Sequence, residues 1–144
     1  TIDPAHKADY ESNYQKFETN INFKLQEWGK TLLPFKGQRV VAYHDSWPYF
    51  AHRFGLNIDM FLEPKPGIPP SPAHLAEVIE QMKAAHIKAI IVEPFQDRKI
   101  AERVASATGA RVVDFCQFPG GLGGTDTYSK LIDKLVTNLL GALK

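Results

Sequence analysis

Four short apolar or β-branched runs, Arg39 to Tyr43, Ile58 to Leu62, Ala89 to Val92 and Arg111 to Cys116, alternate with stretches of helical periodicity. Alternation at this spacing predicts βαβ units and a mainly parallel sheet. The expected fold class is α/β: a four-stranded, mainly parallel sheet flanked by helices and preceded by one long amino-terminal helix.

The helices between the runs carry their own signals. Ser71 as N-cap with Pro72 at the first helical position opens a helix that places Leu75, Val78, Ile79 and Met82 on one face. A helix from about Asp97 to Thr108 carries Ile100, Val104 and Ala105 inward and stops at Gly109, a residue suited to the left-handed position past a helix end. The last helix, from about Thr127 to Leu143, is expected to bury Tyr128, Leu131, Ile132, Leu135, Val136, Leu139 and Leu140. After the first run, Trp47, Tyr49, Phe50 and Phe54 mark a short helix whose aromatics belong in the core, with Asp45 and Ser46 as its expected caps.

Ahead of the alternating region, Asp3-Pro4 is a helix-start signal, and Tyr10, Tyr14, Phe17, Ile21, Leu25 and Trp28 recur at spacings of three and four. Gly29, Pro34 and Gly37 break that pattern. A helix from Pro4 to about Leu32 would be about 40 Å long, longer than a domain of this size is wide. Part of its aromatic stripe therefore calls for a partner outside this chain.

Bulk properties remove whole classes of function. At 144 residues the chain fits one ordinary domain that needs no metal or disulfide staple. Its 17 Lys and Arg against 16 Asp and Glu give no broad basic field, which argues against nucleic acid as a partner. The single Cys116, among apolar neighbours, excludes an internal disulfide and reads as an inert buried thiol. There is no apolar run long enough to span a bilayer and no signal-peptide pattern, so the chain reads as soluble; it also does not begin with Met, which leaves room for an upstream signal peptide, tag or domain. Phosphate-loop, nucleophile-elbow, dinucleotide-binding and H-E-x-x-H motifs are absent from the sequence.

Three of the predicted strands end in a titratable residue: His44, Glu63 and Glu93. In a parallel sheet all three lie along the carboxyl edge, where open α/β sheets bind their ligands. Asp126 opens the last helix directly after the glycine-rich loop Phe118 to Thr125, where a carboxylate can cap the helix and present its second oxygen outward. His44 and Asp126 would make a nitrogen and oxygen pair suited to a first-row divalent metal. Glu63 and Glu93 are expected as partners of nearby Lys, Arg or backbone donors. His6, His52, His74 and His86 fall on predicted helices at no ligand spacing and are expected on the surface. The proline-rich loop Glu63 to Pro70, EPKPGIPP, is expected to be rigid and structural, and the glycine loop to be either mobile or folded close to something.

Three ordered stretches, YHDSWPYFAHRFGL, IPPSPAHLAEVIEQMKAAHIKAIIVEPFQDRKIAERVASATGARVV and GGTDTYSKLIDKLVTNLLGAL, resemble the zinc and manganese solute-binding proteins of bacterial ABC importers. That family has two α/β lobes joined by a long rigid helix, with a metal held between the lobes by two residues from each. The resemblance implies that residues 1–36 are the linking helix and 37–144 the carboxyl-terminal lobe. It implies His44 as the family's third ligand and Asp126 as its fourth, with Glu93 as a second-shell or reserve ligand. It further implies Zn(II) as cargo, Mn(II) in second place, a membrane permease as recipient and a periplasmic or lipid-anchored extracellular location. The amino-terminal lobe that supplies the first two His ligands is missing here, so an isolated chain is expected to bind zinc poorly and to be prone to dimerise through its long helix.

Two other readings compete. One is a small metal-assisted hydrolase with His44, Glu93 and Asp126 as three ligands and one position left for water. The other is a metal-free interaction domain in which His44 is a core or capping residue.

Overall fold

In the computed structural model, which describes residues 2–144, the chain after its long helix winds into a three-layer α/β/α arrangement. A single 3-10 turn (Pro4–His6) leads into α1 (Lys7–Leu32), and a second turn (Leu33–Phe35) leads out of it. There follow β1 (Arg39–Ala42), α2 (Pro48–Phe54), β2 (Asn57–Phe61), α3 (Pro72–Ala84), β3 (Ala89–Val92), α4 (Arg98–Thr108), β4 (Arg111–Asp114) and α5 (Tyr128–Leu143). The four strands are all parallel in the order β2-β1-β3-β4. The α/β class and the long leading helix read from the sequence are what the molecule has.

The alternation of side chains along each strand divides the core in two. Val40, Ala42, Ala89, Ile91, Val113 and Phe115 face α1 and α5, whereas Val41, Tyr43, Met60, Leu62, Ile90 and Val92 face α3 and α4. Both faces are apolar because helices cover both, as an all-parallel sheet requires. α5 buries Leu131, Leu135, Val136, Leu139 and Leu143 almost completely. At about 2 kcal/mol each, this anchors the helix with on the order of 10 kcal/mol of transfer free energy before ordering entropy is subtracted.

The predicted boundaries of α3 and α4 match: the Ser71 hydroxyl accepts from the His74 N–H, and Gly109 closes α4 at a φ of 77°. Elsewhere the local reading needs correction. Neither Asp45 nor Ser46 caps α2; the chain bends there, with the Ser46 N–H donating to the His44 carbonyl at 2.9 Å, and the helix starts only at Pro48. Tyr49 is 90% exposed and Tyr128 49% exposed, so neither belongs to the core. Both sit in the first turn of their helices and line the open groove between α1, α2 and α5 rather than the packed layer. His86 is not on a helix but in the turn after α3, at a φ of 51°. His74 is half-buried and its Nε2 lies 3.0 Å from the Phe61 carbonyl.

The stripe on α1 is divided. Ile21, Leu25 and Trp28 pack against α5, and the Trp28 indole donates to Asp133 at 2.8 Å. Tyr10, Tyr14 and Phe17 are each more than half exposed. No helix of the described residues is long and apolar enough to cross a membrane.

Candidate metal centre

The sheet register builds the site. Ala42 pairs with Phe61 on one side and with Ile91 on the other, so the same register continued along the chain sets Glu63, His44 and Glu93 in one row across the ends of three strands. The ladder runs on into this row, since the Glu63 N–H donates to the Tyr43 carbonyl at 2.9 Å. His44 shares strand parity with Val40 and Ala42, and Glu93 with Ala89 and Ile91, so the row belongs to the sheet face that α5 covers. Asp126 lies just ahead of α5, after the loop that leaves β4 at that same carboxyl rim.

His44 is part-buried, and its Nδ1 is hydrogen-bonded to Oε2 of Glu63. The second oxygen of that carboxylate accepts from the Gly67 N–H at 2.6 Å. Of the partners expected for Glu63, the backbone donor is present and the Lys or Arg is replaced by the histidine. No other side-chain hydrogen bond of His44 exists among the described residues, which leaves Nε2 as its available donor atom.

Glu93 is wholly enclosed. Its Oε1 accepts from the Trp47 indole N–H at 2.9 Å, and its Oε2 has no partner among the described residues. Tyr43 turns to the opposite face, where burial first, and then the Asp97 and Glu63 carboxylates, raise its phenol above the usual 10.0.

Asp126 differs from expectation in one respect. The N-cap of α5 is Thr127, whose hydroxyl accepts from the Lys130 N–H, and not Asp126. Asp126 instead projects into solvent and pairs through both oxygens with the Lys130 ammonium, at 3.0 and 3.1 Å. That hydrogen bond, with a backbone contribution, holds its carboxyl below the ordinary 3.8, so the group is ionised and able to ligate at neutral pH.

The glycine loop is folded close to its neighbours. The Gly120 N–H donates to the Thr125 carbonyl at 2.6 Å, and the buried Thr125 hydroxyl donates to the Leu122 carbonyl at 2.7 Å. A Cβ on Gly121 would stand 1.9 Å from the Cys116 Sγ, which is why a glycine is needed there.

The structure thus joins His44 to Glu63, encloses Glu93 behind them, and gives Asp126 to Lys130. Among the described residues no group of three or more His, Cys, Asp or Glu side chains is close enough to share a metal ion. The groove between α1, α2 and α5, about 490 Å³ and lined by Leu25, Trp28, Trp47, Phe50 and Tyr128, includes none of the four candidate residues. The contact that the sequence reading missed is Glu63 to His44. Its signal was available: both close consecutive strands of one predicted βαβ unit, and consecutive strands are most often neighbours.

Comparison with known proteins places the chain in a family. The family model for zinc-uptake complex component A, periplasmic (ZnuA), matches residues 1–142. The high-affinity zinc uptake system protein ZnuA of Brucella abortus is 27% identical over 142 residues, an alignment covering 98% of this chain and 42% of that protein. A crystal structure of ZnuA superposes with a TM-score of 0.84 at 24% identity, covering 99% of this chain and 53% of that one. A mutant of the Mn-bound periplasmic metal binding protein from candidatus Liberibacter asiaticus gives 0.78 at 23%, covering 99% and 54%. At these identities the two structural likenesses show the fold. The chain spans about two fifths of the Brucella protein and about half of each solved structure. By the family match over nearly its whole length, the chain belongs to the ZnuA family of periplasmic zinc-uptake components.

Proposed function

We propose that this chain is the linking helix and carboxyl-terminal lobe of the substrate-binding component of a metal-ion ABC importer. Its cargo is Zn(II), with Mn(II) in second place, and its task is capture and handover to a membrane permease in the periplasm or at an outer cell surface. His44 and Asp126 supply two of the cargo's ligands, and an amino-terminal lobe supplies the others. Residues 1–36 span from one lobe to the next, and the exposed rings of Tyr10, Tyr14 and Phe17 give that lobe, or a second copy of the helix, an apolar surface to cover.

The observation that carries the reading is the orientation of His44: its Nδ1 is occupied by Glu63 and its Nε2 is not, at the rim that also receives Asp126. A neutral imidazole favours zinc over manganese, which prefers oxygen donors. Both donors stand at an open rim, so an ion can be taken up and surrendered without parting a packed core. Nothing in this chemistry forms or breaks a covalent bond. The hydrolase reading loses support because Glu93 is enclosed and already bonded to Trp47.

The test is a zinc titration of the chain against a chelating indicator. Wild-type protein binds one ion weakly, as a two-ligand half-site should; His44→Ala abolishes the binding, Asp126→Asn weakens it, and His86→Ala changes nothing. Undiminished binding by His44→Ala would refute the assignment.

A further inference from the structure

We propose that Glu63 is a positioning residue for His44, holding the imidazole in the tautomer and orientation that reserve Nε2 for the metal. The inference rests on the reading of His44 as a ligand and deepens it. It gives the proline-rich loop, read from sequence as merely structural, a part in the site.

A carboxylate can only accept a hydrogen bond, so Glu63 selects for His44 the tautomer whose proton is on Nδ1. A neutral imidazole carries one N–H, so a proton fixed on Nδ1 leaves the Nε2 lone pair open to an ion. Glu63 can impose this only if its own carboxylate cannot turn away, and the structure meets that condition. Its Oε1 is held by the Gly67 N–H at 2.6 Å while Oε2 faces His44. The side chain is 11% exposed against 30% for His44, so water competes weakly for the carboxylate.

The loop supplies the rigidity. Pro64 and Pro66 fix two backbone φ angles on either side of Lys65, and the Ile68 N–H donates to the Lys65 carbonyl at 3.0 Å to close the turn. Gly67 adopts a φ of 76°, a conformation that aims its N–H back at the start of the loop and that a side chain would strain. Glu63, Gly67 and the two prolines therefore form one unit whose output is the direction of a single imidazole nitrogen. Carboxylates that take the outer N–H of a metal-bound histidine raise its basicity as well as orienting it.

The experiment uses the chain with 15N-labelled histidine at an alkaline pH chosen so that the ring 15N shifts themselves report the neutral imidazole. Long-range 1H–15N correlation reads which ring nitrogen carries the proton, and Zn(II) is titrated against the same resonances. Wild-type protein shows the Nδ1–H form and a zinc-dependent shift at Nε2. Glu63→Ala shifts the population toward Nε2–H and weakens zinc binding by about 10- to 100-fold. In Glu63→Gln the amide oxygen stays with the Gly67 N–H and the NH2 faces His44, where it donates to Nδ1 and moves the ring proton to Nε2; it serves as the isosteric variant if alanine unfolds the loop.

An unchanged tautomer in both Glu63 variants overturns the inference, even with weakened affinity, because a purely structural part would weaken binding without moving the proton. In that case His44→Ala still abolishes binding and the functional reading stands. If His44→Ala binds zinc as wild type does, the functional reading falls and this inference falls with it.

Discussion

The indole N–H of Trp47 donates to Oε1 of Glu93 at 2.9 Å, tying the start of α2 to the end of β3 immediately beside His44. Glu93 is enclosed and this is its one side-chain bond among the described residues. Trp47→Phe would leave both carboxylate oxygens buried without partners, at a cost of about 3 kcal/mol in unfolding free energy. Replacing both partners, Trp47→Phe with Glu93→Leu, should recover most of that loss, because no buried polar group is then orphaned. Urea denaturation of the two single variants and the double variant measures the difference.

The Lys130 ammonium occupies both oxygens of Asp126. It is therefore a resident competitor for any cation that Asp126 binds. Lys130→Ala should tighten zinc binding by about two- to fivefold, the range expected for removing one exposed ion pair. The pH dependence has a fixed sign: Asp126 has a lowered pKa in the folded protein, so its contribution is present above the ordinary carboxylate value of 3.8 and is lost as the pH falls through the folded value. Acid titration of Lys130→Ala should show that component reduced to the smaller part that the backbone hydrogen bond supplies.

Gly121 lies against Cys116 with no room for a methyl group, and a Cβ there would also stand 3.0 Å from the Phe118 ring. Gly121→Ala should destabilise the chain by about 1–3 kcal/mol through overpacking. In a Cys116→Ala background the same substitution should cost less, since the sulfur it strikes is gone. A thermal-denaturation cycle over the four proteins tests the coupling.

Lys24 bridges α1 to α5, 3.1 Å from Glu27 and 3.2 Å from Asp133. Those two hydrogen bonds, Glu27 the larger cause, raise its pKa above the ordinary 10.5. Because the folded value is raised, the stabilisation is complete below 10.5 and disappears as the pH climbs through the higher folded value. Indole emission should report loosening of Trp28 above pH 10.5, and Lys24→Met should abolish that alkaline step while leaving the neutral-pH spectrum in place.

The strands and helices were legible because their signals are local: β-branched runs for β1 and β3, Ser71-Pro72 for α3, Gly109 for α4. Caps were less so. At Asp45-Ser46-Trp47 and at Asp126-Thr127 several residues can cap, and backbone bends a few residues away decide which does. The exposure of Tyr49 and Tyr128 could not be read from spacing, since an aromatic at the border of a stripe satisfies the period whether or not a layer lies above it. His44 and Asp126 were found as strand-end and helix-start residues. Their immediate partners, Glu63 and Lys130, were not assigned: the first follows once the consecutive strands β1 and β2 are taken as neighbours, whereas the second requires knowing that Thr127 has taken the cap.

α1 is fastened to the body from Asn20 onward, where the Asn20 amide oxygen accepts from the Ser129 hydroxyl, while Tyr10 stands on a bare arm about 15 Å farther out. Such an arm acts as a lever with its fulcrum at the α5 contact. Tilting it by about ten degrees would carry Tyr10 through roughly 3 Å, by the rise per residue of a straight helix. Small repacking around Trp28 and Asp133 is thereby magnified at the far tip, and whatever is joined there is swung relative to the rim that holds His44.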